Sequence, residues 1–440
     1  MPGRTIKNII NKGRGNSLKA KAARGSLVLA IGTFAERGMR LVCNMILARL
    51  LAPEDFGLMA IVLSVLAVLE SFTDIGVGQS IIHHRDGGTT EYLNIAWWVQ
   101  VVRGLILFII ATLLIVPLIC RLYNKPELLN LLRVSFLVVI LNGVTSPRLA
   151  LLDKEFRFVK ALFVIQGSSL IAALAAISLA FHMQNVWVLV IGRVVQSGMK
   201  CLLSHILCPF RPVLKIDRAC LKEFLRFGRG MVGLSFLTVV SMQTDVFVLA
   251  KLLPSEEVGM YALALSLARL PVFVFARTVG RVLLPAFAEK QDDRKAICIA
   301  VLKVLRSILL FGVPIVVITA IWAKTILSVI YGAQYGTVAA PFALLCFAML
   351  FYVQAVVLSQ IYMAIGMPHL HRRYVILLAT LIICLIYPGI KLYGLVGAGG
   401  VLLFANTFAL FMQVIWLKNV IGLKFKDYLY CWWPIPAASV

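Results

Sequence analysis

The sequence predicts an all-α integral membrane protein with about twelve transmembrane helices, arranged as two pseudo-symmetric lobes of six helices each. Apolar residues make up 61% of the 440 positions and the mean hydropathy is +0.94, more than a water-soluble surface could cover. Basic residues recur between the apolar runs, and a stretch near the amino terminus is repeated about halfway along the chain. Together these observations predict a duplicated, multi-pass fold.

The repeat consists of two similar helical hairpins. Residues 45–66 read MILARLLAPEDFGLMAIVLSVL, and residues 247–268, shifted by 202 positions, read FVLAKLLPSEEVGMYALALSLA. The two stretches align without a gap, and Gly57 falls on Gly259. Each copy is an apolar helix, a short acidic turn and a second apolar helix, because a polar turn solvates the backbone where the chain reverses. A repeat at this distance predicts that each hairpin opens one lobe.

Twelve apolar runs approach the length of about 20 residues that a bilayer crossing requires. In the first lobe, residues 26–210, the predicted spans are 26–51, 56–72, 94–119, 128–150, 159–181 and 186–209. In the second lobe, residues 227–420, they are 227–253, 259–282, 297–322, 339–366, 374–393 and 396–420. The remaining segments are a basic cytoplasmic tail (1–25), an interfacial cytoplasmic linker (211–226) and an interfacial tail or the start of a further helix (421–440).

The basic residues predict the orientation of the chain. With the amino terminus inside, the inner segments hold about 30 of the 43 basic residues and the outer segments about six. Both termini are therefore expected in the cytoplasm. The formal charge of +24 does not indicate nucleic-acid binding, because the charges lie in short loops and build no basic face on a soluble domain.

Charged residues inside the spans are the candidates for function, because a charge in hydrocarbon is costly unless it faces a cavity or a partner. The basic candidates for a substrate cavity are Arg37, Arg40, Arg103, Arg193, Lys200 and Arg269. A guanidinium group presents forked donors that match phosphate oxygens, so this set predicts an anionic substrate. The alternative for any one of these residues is a structural hydrogen bond or ion pair between helices.

Two acidic residues within the spans are candidates for coupling to a cation. Glu36 lies near the middle of the first span, on the same helical face as Arg40. Asp245 is the acidic residue deepest in the second lobe. A carboxylate in such a place responds to protons or Na+, since its charge depends on burial and on nearby arginine. The alternatives are a self-neutralising Glu36–Arg40 pair and a permanent pair between Asp245 and an arginine.

Other motifs are weak. The histidines at 83–84 and at 369 and 371 lack partners at metal-ligand spacing, and the acidic pair Asp292–Asp293 stands alone in a short basic loop. The sequence contains no P-loop, so direct ATP hydrolysis is not expected. We expect no metal and no cofactor, and we do not expect an enzyme.

Several phrases resemble the polysaccharide flippases of the multidrug, oligosaccharidyl-lipid and polysaccharide (MOP) exporter superfamily. They are LARLLAPEDFGLMAI and FTDIGVGQSII in the first lobe, and QTDVFVLAKLL, VGMYALALSLARLP and VGRVLLPAFAEKQDD in the second. The resemblance covers most of the chain. It implies a fold like that of the multidrug (MATE) exporters, with two six-helix lobes flanking a central cleft, and it implies alternating access. It also implies a polyprenyl-pyrophosphate-linked oligosaccharide as substrate, moved across a bacterial inner membrane.

The predicted function is therefore export of a lipid-linked repeat unit for exopolysaccharide, capsule or lipopolysaccharide, coupled to H+ or Na+. The cavity arginines would hold the pyrophosphate while the polyprenyl tail stays among membrane lipids, and the polymerase and export machinery of the pathway are expected partners. One alternative is a cation-coupled multidrug exporter of the same superfamily, although a cavity for organic cations should be rich in acids. The other is a membrane-embedded polymerase or ligase, which would need a catalytic loop or soluble domain.

Overall fold

The computed structural model describes residues 18–72, 77–84, 86–155, 157–213, 221, 224, 232–272 and 293–432. The helices of the first half are α1 (Leu18–Leu50), α2 (Pro53–Phe72), α3 (Val77–His83), α4 (Thr90–Ile110), α5 (Val116–Tyr123), α6 (Leu128–Ser135), α7 (Leu137–Val144), α8 (Arg148–Lys154), α9 (Phe158–Met183) and α10 (Trp187–Leu207). Those of the second half are α11 (Val232–Leu252), α12 (Ser255–Ala268), α13 (Arg294–Ile321), α14 (Ala323–Ile330), α15 (Ala339–Ala364), α16 (Pro368–Ile421) and α17 (Phe425–Tyr430). A π-helical turn, Ala111–Ile115, joins α4 to α5, and a 3₁₀ helix, Ala333–Val338, precedes α15. No strand occurs in these residues, which confirms the all-α class.

Six helical segments in the described part of the chain are long and apolar enough to cross a membrane. They are α4 with α5, α9, α10, α13, the 3₁₀ helix with α15, and α16. Large apolar side chains on these segments are exposed, as lipid-facing surfaces require: Leu113 is 67% exposed and Phe311 is 65% exposed. The protein is therefore a multi-pass membrane protein. The count of twelve spans stays a prediction.

The 54-residue α16 consists of two helices that meet at Gly394. This residue has φ 55° and ψ −134°, a left-handed conformation that glycine adopts without a steric penalty. Gly389 and Gly397 then pack closely on either side of the break, where a Cβ on Gly397 would overlap the carbonyl oxygen of Gly389. The break lies where the sequence predicts the boundary between spans 374–393 and 396–420.

The predicted fourth span, 128–150, is too long. The helical segment ends with α7 at Val144, and α8 starts only after a break. Pro147 is the physical reason, because it has no N–H to donate and disfavours a helical conformation at the residue before it. That residue, Ser146, bonds to α10 instead: its N–H donates to the hydroxyl of Ser204 over 3.0 Å.

The chain divides into two compact units. The first comprises Met1–Cys43 and Val65–Ser235, and the second comprises Asn44–Ser64 and Phe236–Val440. The turn of the first repeated hairpin therefore groups with its copy in the second unit. The lobe boundaries predicted from the sequence stay a prediction. The described residues do not include 1–17 or most of the predicted linker.

Within the second unit, the two copies of the repeat pack against each other at the first turns of α2 and α12. A Cβ on Gly57 would overlap the carbonyl oxygen of Ser255, and a Cβ on Gly259 would overlap the carbonyl oxygen of Pro53. The 202-residue shift relates Pro53 to Ser255 and Gly57 to Gly259, so the contact has approximate two-fold symmetry. Glycine lets the Cα–H of each copy face a carbonyl oxygen of the other. We call this contact the glycine pair.

A short helical layer that the sequence analysis did not predict lies next to the glycine pair. It is formed by α14 and the 3₁₀ helix. The guanidinium of Arg49, at the end of α1, donates to the carbonyl of Val329 over 2.6 Å. The buried Tyr335 lies close enough to the acidic turns to interact with the charges of both Asp55 and Glu256. The layer therefore covers both copies of the repeated turn.

Candidate anion-binding cavity

A cavity of about 590 Å³ lies within the first unit. Its walls come from α2, α3, α4, α9, α10 and the segment from α7 to α8. The charged lining residues in the described part of the chain are Glu70, Arg103, Arg193 and Lys200, and amides and hydroxyls complete the polar lining. The volume falls within the range of about 300–1,000 Å³ that is typical of small-molecule sites.

One face of α10 supplies most of the basic charge. Arg193, Gln196 and Lys200 follow one another at helical spacing and all line the cavity. The Nη1 of Arg193 donates to the Oε1 of Gln196 over 2.8 Å, and Gln196 in turn donates to the Ser169 hydroxyl on α9 over 2.8 Å. The Nε of Arg193 is buried without an acceptor among the described residues. The guanidinium is thus oriented by α10 and α9 and retains an unused donor.

The other cavity cations are Lys200 on α10 and Arg103 on α4. Within the described ranges, the Lys200 ammonium forms no hydrogen bond and no ion pair, so its donors are available to a ligand. These cations are partly buried, and charges of one sign in such a place repel each other more strongly than they would in water. An anion with more than one charge is the ligand that relieves this repulsion.

The cavity also contains an acid that the sequence analysis missed. Glu70 lies in the last turn of α2, and its Oε1 accepts a hydrogen bond from the Nδ2 of Asn142 on α7 over 3.1 Å. The charge of Glu70 acts on both Arg193 and Lys200. A sequence signal existed, because Glu70 is the single charged residue of the predicted span 56–72.

The polar face of α1 forms an ion pair. The Nη2 of Arg40 lies 3.2 Å from the Oε1 of Glu36, one helical turn away. This is the self-neutralising pair that the sequence analysis kept as an alternative. Arg40 is still close enough to Arg193 to repel its charge, whereas neither Arg40 nor the half-buried Arg37 belongs to the cavity lining.

Asp245 and Arg269 lie together in the second unit. Asp245 is 1% exposed, and its Oδ2 accepts a hydrogen bond from the Tyr261 hydroxyl over 3.0 Å. The charge of Arg269 acts on this carboxylate. Arg269 caps the end of α12, two residues before Pro271, which cannot donate a helical hydrogen bond. The predicted coupling residue of the second lobe therefore lies within electrostatic range of a predicted cavity arginine, whose Nη2 donates to the carbonyl of Met242 over 3.4 Å.

One residue of the acidic pair Asp292–Asp293 has a structural role. Asp293 caps α13, where its side chain accepts a hydrogen bond from the Ala296 N–H over 3.0 Å, and its neighbour Asp292 is not described. Within the described ranges, no cluster of histidine, cysteine and acidic side chains could hold a metal ion.

Comparisons with known proteins agree with this architecture. A family model described as polysaccharide biosynthesis protein matches residues 46–340. The lipopolysaccharide biosynthesis protein WzxC of Escherichia coli K12 is 25% identical over 424 residues, which cover 95% of this chain and 85% of that protein.

Two solved structures share the fold. The lipid II flippase MurJ in its inward closed conformation matches with a TM-score of 0.76 and 16% identity, over 92% of this chain and 90% of that one. An inward-facing multidrug resistance MATE family transporter of the MOP superfamily matches with a TM-score of 0.69 and 16% identity, over 89% of this chain and 98% of that one. These likenesses confirm the predicted MATE-like architecture.

Proposed function

The chain belongs to the polysaccharide biosynthesis protein family, and on that premise we propose that it is a flippase for a polyprenyl-pyrophosphate-linked oligosaccharide. It has the fold of the MOP-type transporters, and its similarity to the lipopolysaccharide biosynthesis protein WzxC supports a role in moving a lipid-linked repeat unit. Its task would be transport rather than a chemical step of polysaccharide synthesis.

The charge of the cavity is the observation that carries this proposal. Arg103, Arg193 and Lys200 face a single carboxylate, that of Glu70, among the described lining residues. The formal net charge of the described lining residues is therefore +2. A diphosphate that joins a lipid to a sugar carries two negative charges, and arginine donors fit its oxygens in pairs. The exposed apolar helix surfaces leave the polyprenyl chain in the lipid.

The same cavity argues against an exporter of organic cations. Such a substrate would meet a site whose described lining has a net positive charge and whose Lys200 ammonium forms no direct ion pair with a described acid. Alternating access would carry the bound headgroup between leaflets, and the inward closed and inward-facing conformations of its structural neighbours support that scheme by analogy.

The test of this function is transport of a defined lipid diphosphate. The purified protein in liposomes should move a fluorescent polyprenyl-diphosphate oligosaccharide between leaflets, and expression should restore export in one of a panel of flippase-null strains with different polysaccharides. Efflux of organic cations without any lipid-linked transport would instead establish the multidrug exporter.

We place the protein in a bacterial inner membrane with both termini in the cytoplasm, as the basic residues favour. In a cysteine-free background, Glu54→Cys and Glu256→Cys should react with a membrane-impermeant thiol reagent added to intact spheroplasts, whereas Arg211→Cys should react only after permeabilisation. Labelling of Arg211→Cys from outside would reverse the orientation.

The coupling cation, H+ or Na+, would act at Asp245 and Glu36. Asp245→Asn keeps the size of the side chain and an acceptor for the Tyr261 hydroxyl, but removes the charge that Arg269 experiences. We expect this variant to bind lipid-linked substrate and to lose gradient-driven transport in liposomes, because the cation can then no longer favour one conformation over the other.

Asp293→Asn is the matched control, because asparagine replaces the helix cap of α13 well. If Asp245→Asn transports at the wild-type, gradient-driven rate, Asp245 is a structural residue and the coupling site lies elsewhere.

A further inference from the structure

Glu70 is the single carboxylate among the described residues that line the cavity, and the established family membership assigns it no role. We propose that Glu70 limits how tightly the cavity holds a diphosphate, by competing with it for the charges of Arg193 and Lys200, so that the headgroup is released after transport. This inference rests on the proposed function of the cavity.

The geometry makes Glu70 a competitor rather than a permanent partner. Asn142 holds one carboxylate oxygen, Oε1, and in the described part of the chain Oε2 has no hydrogen-bond partner. The negative charge acts on both Arg193 and Lys200, yet it forms no direct ion pair with either within the described ranges. Glu70 therefore offsets part of the positive charge while the donors of both cations stay available.

The charge count shows why this offset matters. With Glu70 ionised, the described lining carries a formal charge of +2, which equals the two negative charges of a diphosphate diester in magnitude. Without Glu70 the lining would carry +3. Charges that are partly buried in protein are screened less than charges in water, so the additional unit strengthens attraction to the anion. A transport site must bind well enough to load and weakly enough to unload.

A purely structural role for Glu70, as the hydrogen-bond partner of Asn142, makes a different prediction. Glu70→Gln keeps an acceptor for Asn142 and removes only the charge. On the structural reading the variant binds anions like the wild type. On the competition reading it binds them more tightly and transports more slowly.

The experiment uses the full-length protein in lipid nanodiscs and inorganic pyrophosphate as the headgroup probe, with calorimetry to measure Kd. We expect Glu70→Gln to lower Kd at least 10-fold and to slow flipping in liposomes. Glu155→Gln is the control, because it removes an exposed carboxylate of the same unit. The Oε2 of Glu155 lies 3.7 Å from the Nη1 of Arg157, and neither residue lines the cavity. This control should leave Kd and flipping unchanged.

A second variant should change the Kd for pyrophosphate in the opposite direction. Gln100→Glu, at a lining residue whose side chain is not bonded to Glu70, adds a negative charge to the cavity lining and should raise Kd at least 10-fold, so the inference is tested even if Glu70→Gln does not fold. Equal Kd values for Glu70→Gln and the wild type, with binding lost in Arg193→Ala, overturn the role of Glu70 and leave the anion site intact. A wild-type protein that does not bind pyrophosphate overturns the anion site itself.

Discussion

Gly259→Ala should abolish polysaccharide export and destabilise the protein by about 3 kcal/mol or more, at the upper end of the range for overpacking. The added Cβ would overlap the carbonyl oxygen of Pro53 and come too close to the backbone nitrogen of Gly57. Backbone atoms cannot rotate aside as a flexible side chain can, so the two hairpins must separate. The midpoint of thermal unfolding in detergent and the amount of exported polysaccharide are the measurements.

The approximate symmetry of the glycine pair sharpens this test. Gly57→Ala should be as damaging as Gly259→Ala, and the double variant should cost less than the two single losses combined, because one substitution already separates the hairpins. Gly400→Ala is the control: it also changes a helical glycine of the second unit, but an added Cβ meets nothing within 4 Å. An unfolding midpoint for Gly259→Ala equal to that of Gly400→Ala would show that the contact is loose.

Arg193→Ala should reduce pyrophosphate affinity by about 10- to 100-fold, because a hydrogen bond to a charged group contributes about 1.5–3 kcal/mol. Combining it with Lys200→Ala should abolish export while the protein remains in the membrane, since the described lining would then hold one cation against Glu70. Arg193→Lys should recover part of the function, because it keeps the charge and loses the forked donors.

Lys160→Ala is the control for this pair of substitutions, because Lys160 is an exposed basic residue on α9 that does not line the cavity. It should leave both affinity and export unchanged. Normal export by the Arg193→Ala, Lys200→Ala double variant at native protein level would mean that the diphosphate binds elsewhere.

The fold was largely predictable because its signals are local or periodic. Apolar runs of bilayer length identify helices without any knowledge of their neighbours, and the 202-residue repeat identified the two hairpins that form the glycine pair. One error arose where a single residue overrides hydropathy. Pro147 ends the fourth helical segment inside an apolar run in this way. A different error concerns α14, which occupies the stretch between the predicted spans 297–322 and 339–366.

The cavity was predictable only in part. Arg103, Arg193 and Lys200 were identified because a charge in an apolar run stands out in the sequence. Glu70 was missed because it lies at the end of its span, where a charge can reach the membrane surface at little cost. Its partner Asn142 is 72 residues away and uncharged, so no sequence spacing connects the two.

The glycine pair has a consequence for the divergence of the two copies. The two copies of a duplicated segment can ordinarily diverge in sequence, because each copy packs against different neighbours. At this contact each copy forms the surroundings of the other: Gly57 lies against the backbone of the second hairpin, and Gly259 against that of the first. A side chain gained at either position meets main-chain atoms, which no substitution in the other copy can shorten or remove. Each position is therefore restricted to glycine by the backbone of the other copy, and no compensating substitution there can lift the restriction.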